Sequence, residues 1–337
     1  MITRNPLNLH DCWQQELAQA YTDPKLLLQA LDLDPADFEQ HIAARRLFPM
    51  RVPRPFVAAM EPGNPRDPLL LQVLPQSEEF DTVPGFSPDP LQEQQAAVPG
   101  ILHKYRSRAL LMLKGGCAVN CRYCFRRHFP YQDNQLGGQA LDQALAYLQQ
   151  DTNLNEVILS GGDPLMAKDD HLARLVRRLQ ANPNLTRLRI HSRLPVVIPA
   201  RLTPQLTELL AGTRLKAVLV LHINHANEIG EALTNRLKPL QQAGVTLLNQ
   251  SVLLKGINDT VAAQVALSES LFAAGILPYY LHLLDKVDGA AHYDLAQSRA
   301  RQLMAEMLDA LPGFLVPRLV REVGGRTSKT PIDLQLN

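Results

Sequence analysis

The chain has 337 residues, 46% of them hydrophobic and 20% charged, which suits one large soluble domain with an appendage, or two domains. A net charge of +1, with pairs such as Arg126-Arg127 and Arg177-Arg178 too short to make a patch, argues against nucleic acid or a membrane surface as partner. No apolar run reaches the ~18 residues of a membrane span. The start lacks the apolar core of a signal peptide, and four cysteines, three of them clustered, suit a reducing cytosol.

Residues 1–95 read as an N-terminal, mainly helical appendage ending in a proline-rich strap. Asp11 to Tyr21 has helical spacing, with Cys12 beside Trp13 expected as a packed thiol. Asp23-Pro24 caps a helix over Lys25 to Leu33, and Asp34-Pro35 repeats the device ahead of Ala36 to Leu47. From Pro49 to Pro90 the prolines forbid regular helix or central strand. The apolar run Leu69 to Leu74 favours a strap laid over the main domain above a free linker.

Residues 96–337 change pattern. Strands are expected at Ala109–Leu113, Glu156–Ser160, Leu188–His191, Ala217–His222, Thr246–Val252 and Pro278–Leu283. Helices alternate with them near Gln139–Gln150, Asp170–Gln180, Thr203–Leu210, Glu228–Ala243, Thr260–Ala274 and Ser298–Leu311. With the closing segment Arg318–Val323, six such units suggest an α/β fold, a partial (βα)6 TIM-like barrel with its ligands at the carboxyl ends of the strands. An open doubly wound sheet is the alternative.

Three cysteines follow the first of these strands as Cys117-Ala-Val-Asn-Cys121-Arg-Tyr-Cys124, a C-x₃-C-x₂-C loop. Three thiolates do not complete a structural zinc site, which takes four ligands. They can hold three irons of a 4Fe-4S cluster and leave the fourth open. A zinc knuckle borrowing His128 is the competing reading.

The strand ends are polar: Ser160-Gly161-Gly162-Asp163, His191-Ser192-Arg193, His222-Ile-Asn224-His225 and Asn249-Gln250-Ser251. The two glycines allow a close backbone approach, and Asp163 can accept from an ammonium or cap a helix. In the tail, Lys329 follows Gly324-Gly325. It is not a P-loop lysine, since the spacing and the following helix are missing. A solvated lysine and a lysine holding pyridoxal phosphate (PLP) both stand; the latter needs a pocket that disfavours its charge.

The cysteine loop running into Arg126-Arg127, the Ser160-Gly-Gly-Asp turn, Asn249-Gln-Ser-Val-Leu-Leu, Pro278-Tyr-Tyr and Gly324-Gly...Lys329-Thr-Pro331 occur in that order. Together they resemble the lysine 2,3-aminomutase family of radical S-adenosylmethionine (SAM) enzymes, over about residues 95–331. The resemblance implies a 4Fe-4S cluster on Cys117, Cys121 and Cys124, SAM on its open iron, and PLP on Lys329. In that family SAM supplies a 5′-deoxyadenosyl radical, PLP binds the substrate amine, and the amino group migrates from Cα to Cβ. Carried over, the pattern gives Lys104 and Arg108 to the PLP phosphate, and Ser160, Gly161, Gly162 and Asp163 to SAM. It gives Ser192, His222 and Gln250 to the wall of the SAM and PLP pocket, and Arg126 to the substrate carboxylate. Asp285 and Glu322 take the substrate ε-ammonium, which favours L-lysine.

Two departures stand out: Glu322 replaces an aspartate usual in the free-lysine enzymes, and Gly324-Gly-Arg-Thr-Ser replaces a longer glycine run. The chain also stops at Asn337 where those enzymes continue into an extension that helps assemble the oligomer. The short form resembles the bacterial branch that makes (R)-β-lysine for elongation factor P, where a separate ligase attaches it. An electron donor such as flavodoxin and a cytoplasmic location go with that resemblance. A catabolic aminomutase, a PLP-free radical SAM enzyme and a non-catalytic iron–sulfur or zinc protein remain the alternatives; oligomeric state stays open.

Overall fold

The computed structural model describes residues 12–94, 98–131 and 136–336. The expected helix start at Asp11 and the side chain of Cys12 lie outside the described residues. The architecture is one nine-stranded sheet in which each strand pairs with its neighbour in sequence, β1 to β9. Strand β1 (Ile101–Tyr105) pairs antiparallel with β2 (Arg108–Lys114). From β2 the pairing is parallel through β3 (Glu156–Gly161), β4 (Arg187–Ser192), β5 (Lys216–Leu221), β6 (Thr246–Val252), β7 (Leu277–His282) and β8 (Arg318–Arg321). The short β9 (Thr330–Pro331) returns antiparallel on β8.

This strand order decides between the two expected folds. Right-handed crossovers along an order that never reverses carry every helix to one face of the sheet, which curls into a barrel. A doubly wound sheet needs a reversal, and the order contains none. The barrel is partial: among the described residues β1 and β9 are edges that do not pair with each other.

The helices form where apolar spacing and caps agree. α1 (Cys12–Ala18), α2 (Pro24–Ala30), α3 (Glu39–Ala43) and α4 (Arg54–Val57) precede the sheet. Around it lie α5 (Gln139–Gln150), α6 (Asp169–Gln180), α7 (Leu194–Val197), α8 (Pro204–Gly212), α9 (Glu231–Gln242), α10 (Val261–Ala273) and α11 (Gln297–Ala310). Asp23 caps α2 by accepting from the Lys25 N–H at 3.0 Å, and Thr203 caps α8. The single helix expected over Ala36–Leu47 is instead α3 between two 3₁₀ turns. The strap, expected to hold no helix, contains α4, which tolerates Pro55 because a first-turn proline loses no helical bond.

The N-terminal segment and the barrel share apolar contacts: Trp13, Leu28, Phe56 and Leu70 belong to the same buried cluster as Leu159, Leu194 and Leu219. The strap lies over the carboxyl ends of the strands. The Asn120 N–H in the cysteine loop donates to Arg51 O at 3.1 Å, and Ser87 N–H donates to Lys286 O, beyond β7, at 3.0 Å. Strap and strand ends together roof the cavity described next.

Candidate active site

Along the parallel strands, alternate residues face inward, because successive side chains point to opposite faces. Ile158 and Ser160 on β3, Arg189 and His191 on β4, and Tyr280 and His282 on β7 line one cavity. His222 and Gln250 join them from the ends of β5 and β6. Intervening residues such as Leu159, Ile190 and Leu281 are buried in the apolar clusters. All three thiols of Cys117, Cys121 and Cys124 open on this cavity, as do Asp285, Glu322 and Lys329. Residues far apart in the chain are thus gathered at one end of the barrel.

The cysteine loop is held from three sides. Gly162 N–H donates to Lys114 O at 2.7 Å and Asp163 N–H to Gly116 O at 3.0 Å. A Cβ on Gly161, whose φ is +130°, would lie 2.4 Å from Lys114 O, and one on Gly162 would lie 2.6 Å from the carbonyl oxygens of Gly115 and Gly116. The glycines are therefore required by the close approach of the loop. From below, Arg193 donates to Cys121 Sγ at 2.7 Å and to Gln72 Oε1 at 2.6 Å. From the strap, Glu79 takes a fork from the fully buried Arg122 and a further bond from Arg127 Nη2 at 2.7 Å.

The donor set fits a cluster. Burial pushes the Cys124 thiol up to about 11, with the neighbouring Cys121 adding to it. Metal binding in such a loop must release thiol protons. Among the described residues no three His, Cys, Asp or Glu side chains converge on a point as one metal ion requires. His128, the candidate fourth zinc ligand, is bonded to the backbone of Asp288.

The opposite wall carries the groups expected to meet PLP and substrate. Lys329 is hydrogen-bonded to Glu322 and lies 5.8 Å from the centre of the Tyr280 ring. Three imidazoles surround it: burial, then nearby cations including Lys329, lowers His222 to about 3, and His191 and His282 are also held neutral, burial first. Buried polar atoms without a partner among the described residues include His191 Nε2, His282 Nε2 and Gln250 Oε1. Orphans on a cavity wall are what a polar cofactor satisfies on binding, so this wall fits PLP. Asp285 is pushed up to about 7, mainly by burial and then by the charge of Glu322. Glu322 is held low despite burial, by Lys329, Lys104 and a 3.0 Å bond from Tyr105 Oη.

Several of the expected site residues already have partners within the protein. Asp163 does not await an ammonium: its carboxylate accepts from Ser192 Oγ and from the N–H groups of Leu165, Arg193 and Leu194, so the cap reading holds. Ser192 is off the cavity wall, because it has the opposite parity to His191 and Arg193. The N–H groups of Gly162 and Asp163 serve the cysteine loop. Lys104 is ion-paired with Glu93 at 2.7 Å and lies 3.8 Å from Glu322, both of them on the cavity wall. Arg126 is already gripped by Glu93, through Nε at 2.6 Å and Nη2 at 3.2 Å. Lys329, expected in a pocket that disfavours its charge, is ion-paired with Glu322. Arg108 stacks on the Tyr105 ring at 3.9 Å and lines the cavity.

Sequence reasoning missed Glu93 and the role of Arg193 at Cys121. Parity alone flags Arg193, two residues after His191 on the same face. Nothing local marks Glu93, an acid in an irregular strap.

A sequence profile described as a 4Fe-4S single cluster domain matches residues 106–190. The L-lysine 2,3-aminomutase of Escherichia coli K12 is 54% identical, the match covering 100% of this chain and 98% of that one. That of Haemophilus influenzae is 55% identical over 94% of each chain. The Clostridium subterminale protein of the same name is 34% identical and longer, the match covering 82% of this chain and 67% of that one. With the cysteine loop and the partial barrel already in place, this full-length likeness means that the chain belongs to the L-lysine 2,3-aminomutase family of radical SAM isomerases.

Proposed function

We propose that the protein converts L-α-lysine to (R)-β-lysine with a 4Fe-4S cluster, SAM and PLP, and that the β-lysine serves modification of elongation factor P. The observation that carries the reading is the cavity whose lining brings Cys117, Cys121 and Cys124 together with Lys329, Asp285 and Glu322. Identity of 54% with the E. coli relative, against 34% with the clostridial one, supports the short bacterial branch. A flavodoxin-like electron donor and a cytoplasmic location are part of the proposal; among the described residues no helix is long and apolar enough to cross a membrane.

In this reading Cys117, Cys121 and Cys124 hold the cluster and Lys329 holds PLP. Together the bound groups supply hydrogen abstraction and a conjugated carrier for the migrating nitrogen. The chain's own residues orient and shield. Neutral His191, His222 and His282 offer hydrogen bonds without adding charge beside Lys329. Arg108 supplies a cation for a phosphate. Asp285 and Glu322 pair with the substrate's distal ammonium, which would otherwise sit unpaired in a half-buried site. Asp285 gives up its proton as that cation arrives. Strap and strand ends exclude water and hold the amine and the reacting carbon in register.

The test is anaerobic incubation of reconstituted protein with SAM, PLP, a reductant and L-lysine, followed by chiral amino-acid analysis. β-Lysine is expected. SAM cleavage with bound PLP but no β-lysine would reject free lysine as substrate, with lysyl-modified elongation factor P as the next substrate assayed. Fully loaded protein without PLP absorbance would reject the PLP assignment.

A further inference from the structure

Arg126 has five N–H donors, and its partners leave no free fork. Nε and Nη2 hold both oxygens of Glu93, while Nη1 donates to Ser160 Oγ at 3.1 Å and to Gly161 O at 3.3 Å. A substrate carboxylate needs two parallel donors from one guanidinium edge. The edge with that geometry is the one Glu93 occupies.

Glu93 is delivered there by a strained turn. Gln92 has φ +54°, a left-handed conformation that costs a non-glycine residue roughly 1 kcal/mol or more and persists where surroundings enforce it. The Gln92 side chain packs 3.2 Å from where a Cβ on Gly324 would lie, on the turn leading to Lys329. The N–H groups of Gln92, Glu93 and Gln94 are satisfied by Asp89 within the turn itself. The turn can therefore shift without breaking a barrel hydrogen bond at these three groups. Lys104, 2.7 Å from Glu93 Oε1, gives the carboxylate a second cation to stay on.

We propose that Glu93 is a place-holder for the substrate's α-carboxylate: it occupies the Arg126 fork in the ligand-free protein and yields it when a substrate carboxylate arrives. It thereby sets the affinity for amines that carry a carboxylate and leaves that for amines without one unchanged. The proposal rests on the lysine reading of the cavity.

The test measures L-lysine and 1,5-diaminopentane (lysine without its carboxylate) binding to PLP-loaded protein by calorimetry, for wild type and Glu93→Gln. Removing an internal competitor is expected to tighten L-lysine binding roughly three- to tenfold and leave the diamine unchanged. Hydrogen exchange of residues 86–94 in the wild type, which needs no variant to fold, is expected to speed up on adding L-lysine and not the diamine. L-lysine binding that is weaker or unchanged in Glu93→Gln, or slower exchange of the strap on adding L-lysine, overturns the place-holder and makes Glu93 a fixed support for Arg126. Wild type that binds neither amine overturns the lysine reading itself, and the place-holder with it.

Discussion

Two strap acids, Glu79 and Glu93, each hold two cations, at least one of them from the cysteine loop. Glu79 holds Arg122 and Arg127, with Arg122 and Glu79 at 0% side-chain exposure. Glu93 holds Arg126 and Lys104, with exposures of 5–17%, on the edge of the cavity. The chemistry is the same and the surroundings differ. A charge pair sealed from water cannot lose one member without leaving a buried ion, whereas a pair facing a cavity can exchange a partner for a ligand of like charge. Burial converts one acid into a bolt and leaves the other as a latch.

The sharpest way to break this comparison is Glu79→Ala. It strands two buried guanidinium groups and is expected to cost about 3–5 kcal/mol, read as a large drop in thermal midpoint and loss of the cluster's visible absorbance on reconstitution. Glu93→Gln should cost only about 1 kcal/mol. Equal costs for the two would remove the distinction between bolt and latch.

Next in size, Gly162→Ala tests the other side of the cysteine loop. Its Cβ would press on two backbone carbonyl oxygens, a strain of about 1–3 kcal/mol. Iron content after reconstitution should fall while PLP absorbance remains. Lys329→Ala gives the reverse pattern: a normal cluster spectrum without PLP absorbance and no turnover, at little cost in stability. Retention of PLP absorbance in that variant would move the aldehyde to another lysine.

The smallest effect is a pH dependence on the latch side. Burial raises Asp285 to about 7, so its ionised form is disfavoured in the fold. The associated stability is present below the ordinary aspartate range and is lost as pH rises towards 7. Ammonium binding runs the other way, because it needs the carboxylate. L-lysine affinity should rise roughly tenfold between pH 6 and 8 and flatten above. Asp285→Asn should bind more weakly and lose most of the slope; an unchanged slope would assign it to another group.

Much of this was legible in residue order. The spacing of Cys117, Cys121 and Cys124 and the strand–helix alternation depend on neighbours a few residues apart, and the chain carries them openly. The helix caps at Asp23 and Thr203 are of the same kind. Strand parity was legible in principle: it puts Arg193 on the cavity side and turns Ser192 away. The roles of Asp163 and the two glycines were half legible, since a turn suited to a ligand is equally suited to another loop.

What the sequence by itself determined is therefore the chemistry available: a thiol loop, polar strand ends, and a lysine beyond a glycine turn. What only the tertiary structure decided is which charge meets which. Arg126 finds Glu93 across 33 residues, Arg193 finds Gln72 across 121, and Tyr105 finds Glu322 across 217, over the open seam of the barrel. Periodicity records which face a residue occupies, but pairing and burial are set by the strand order that brings distant segments together. The same carboxylate is a bolt or a latch according to how much water reaches it.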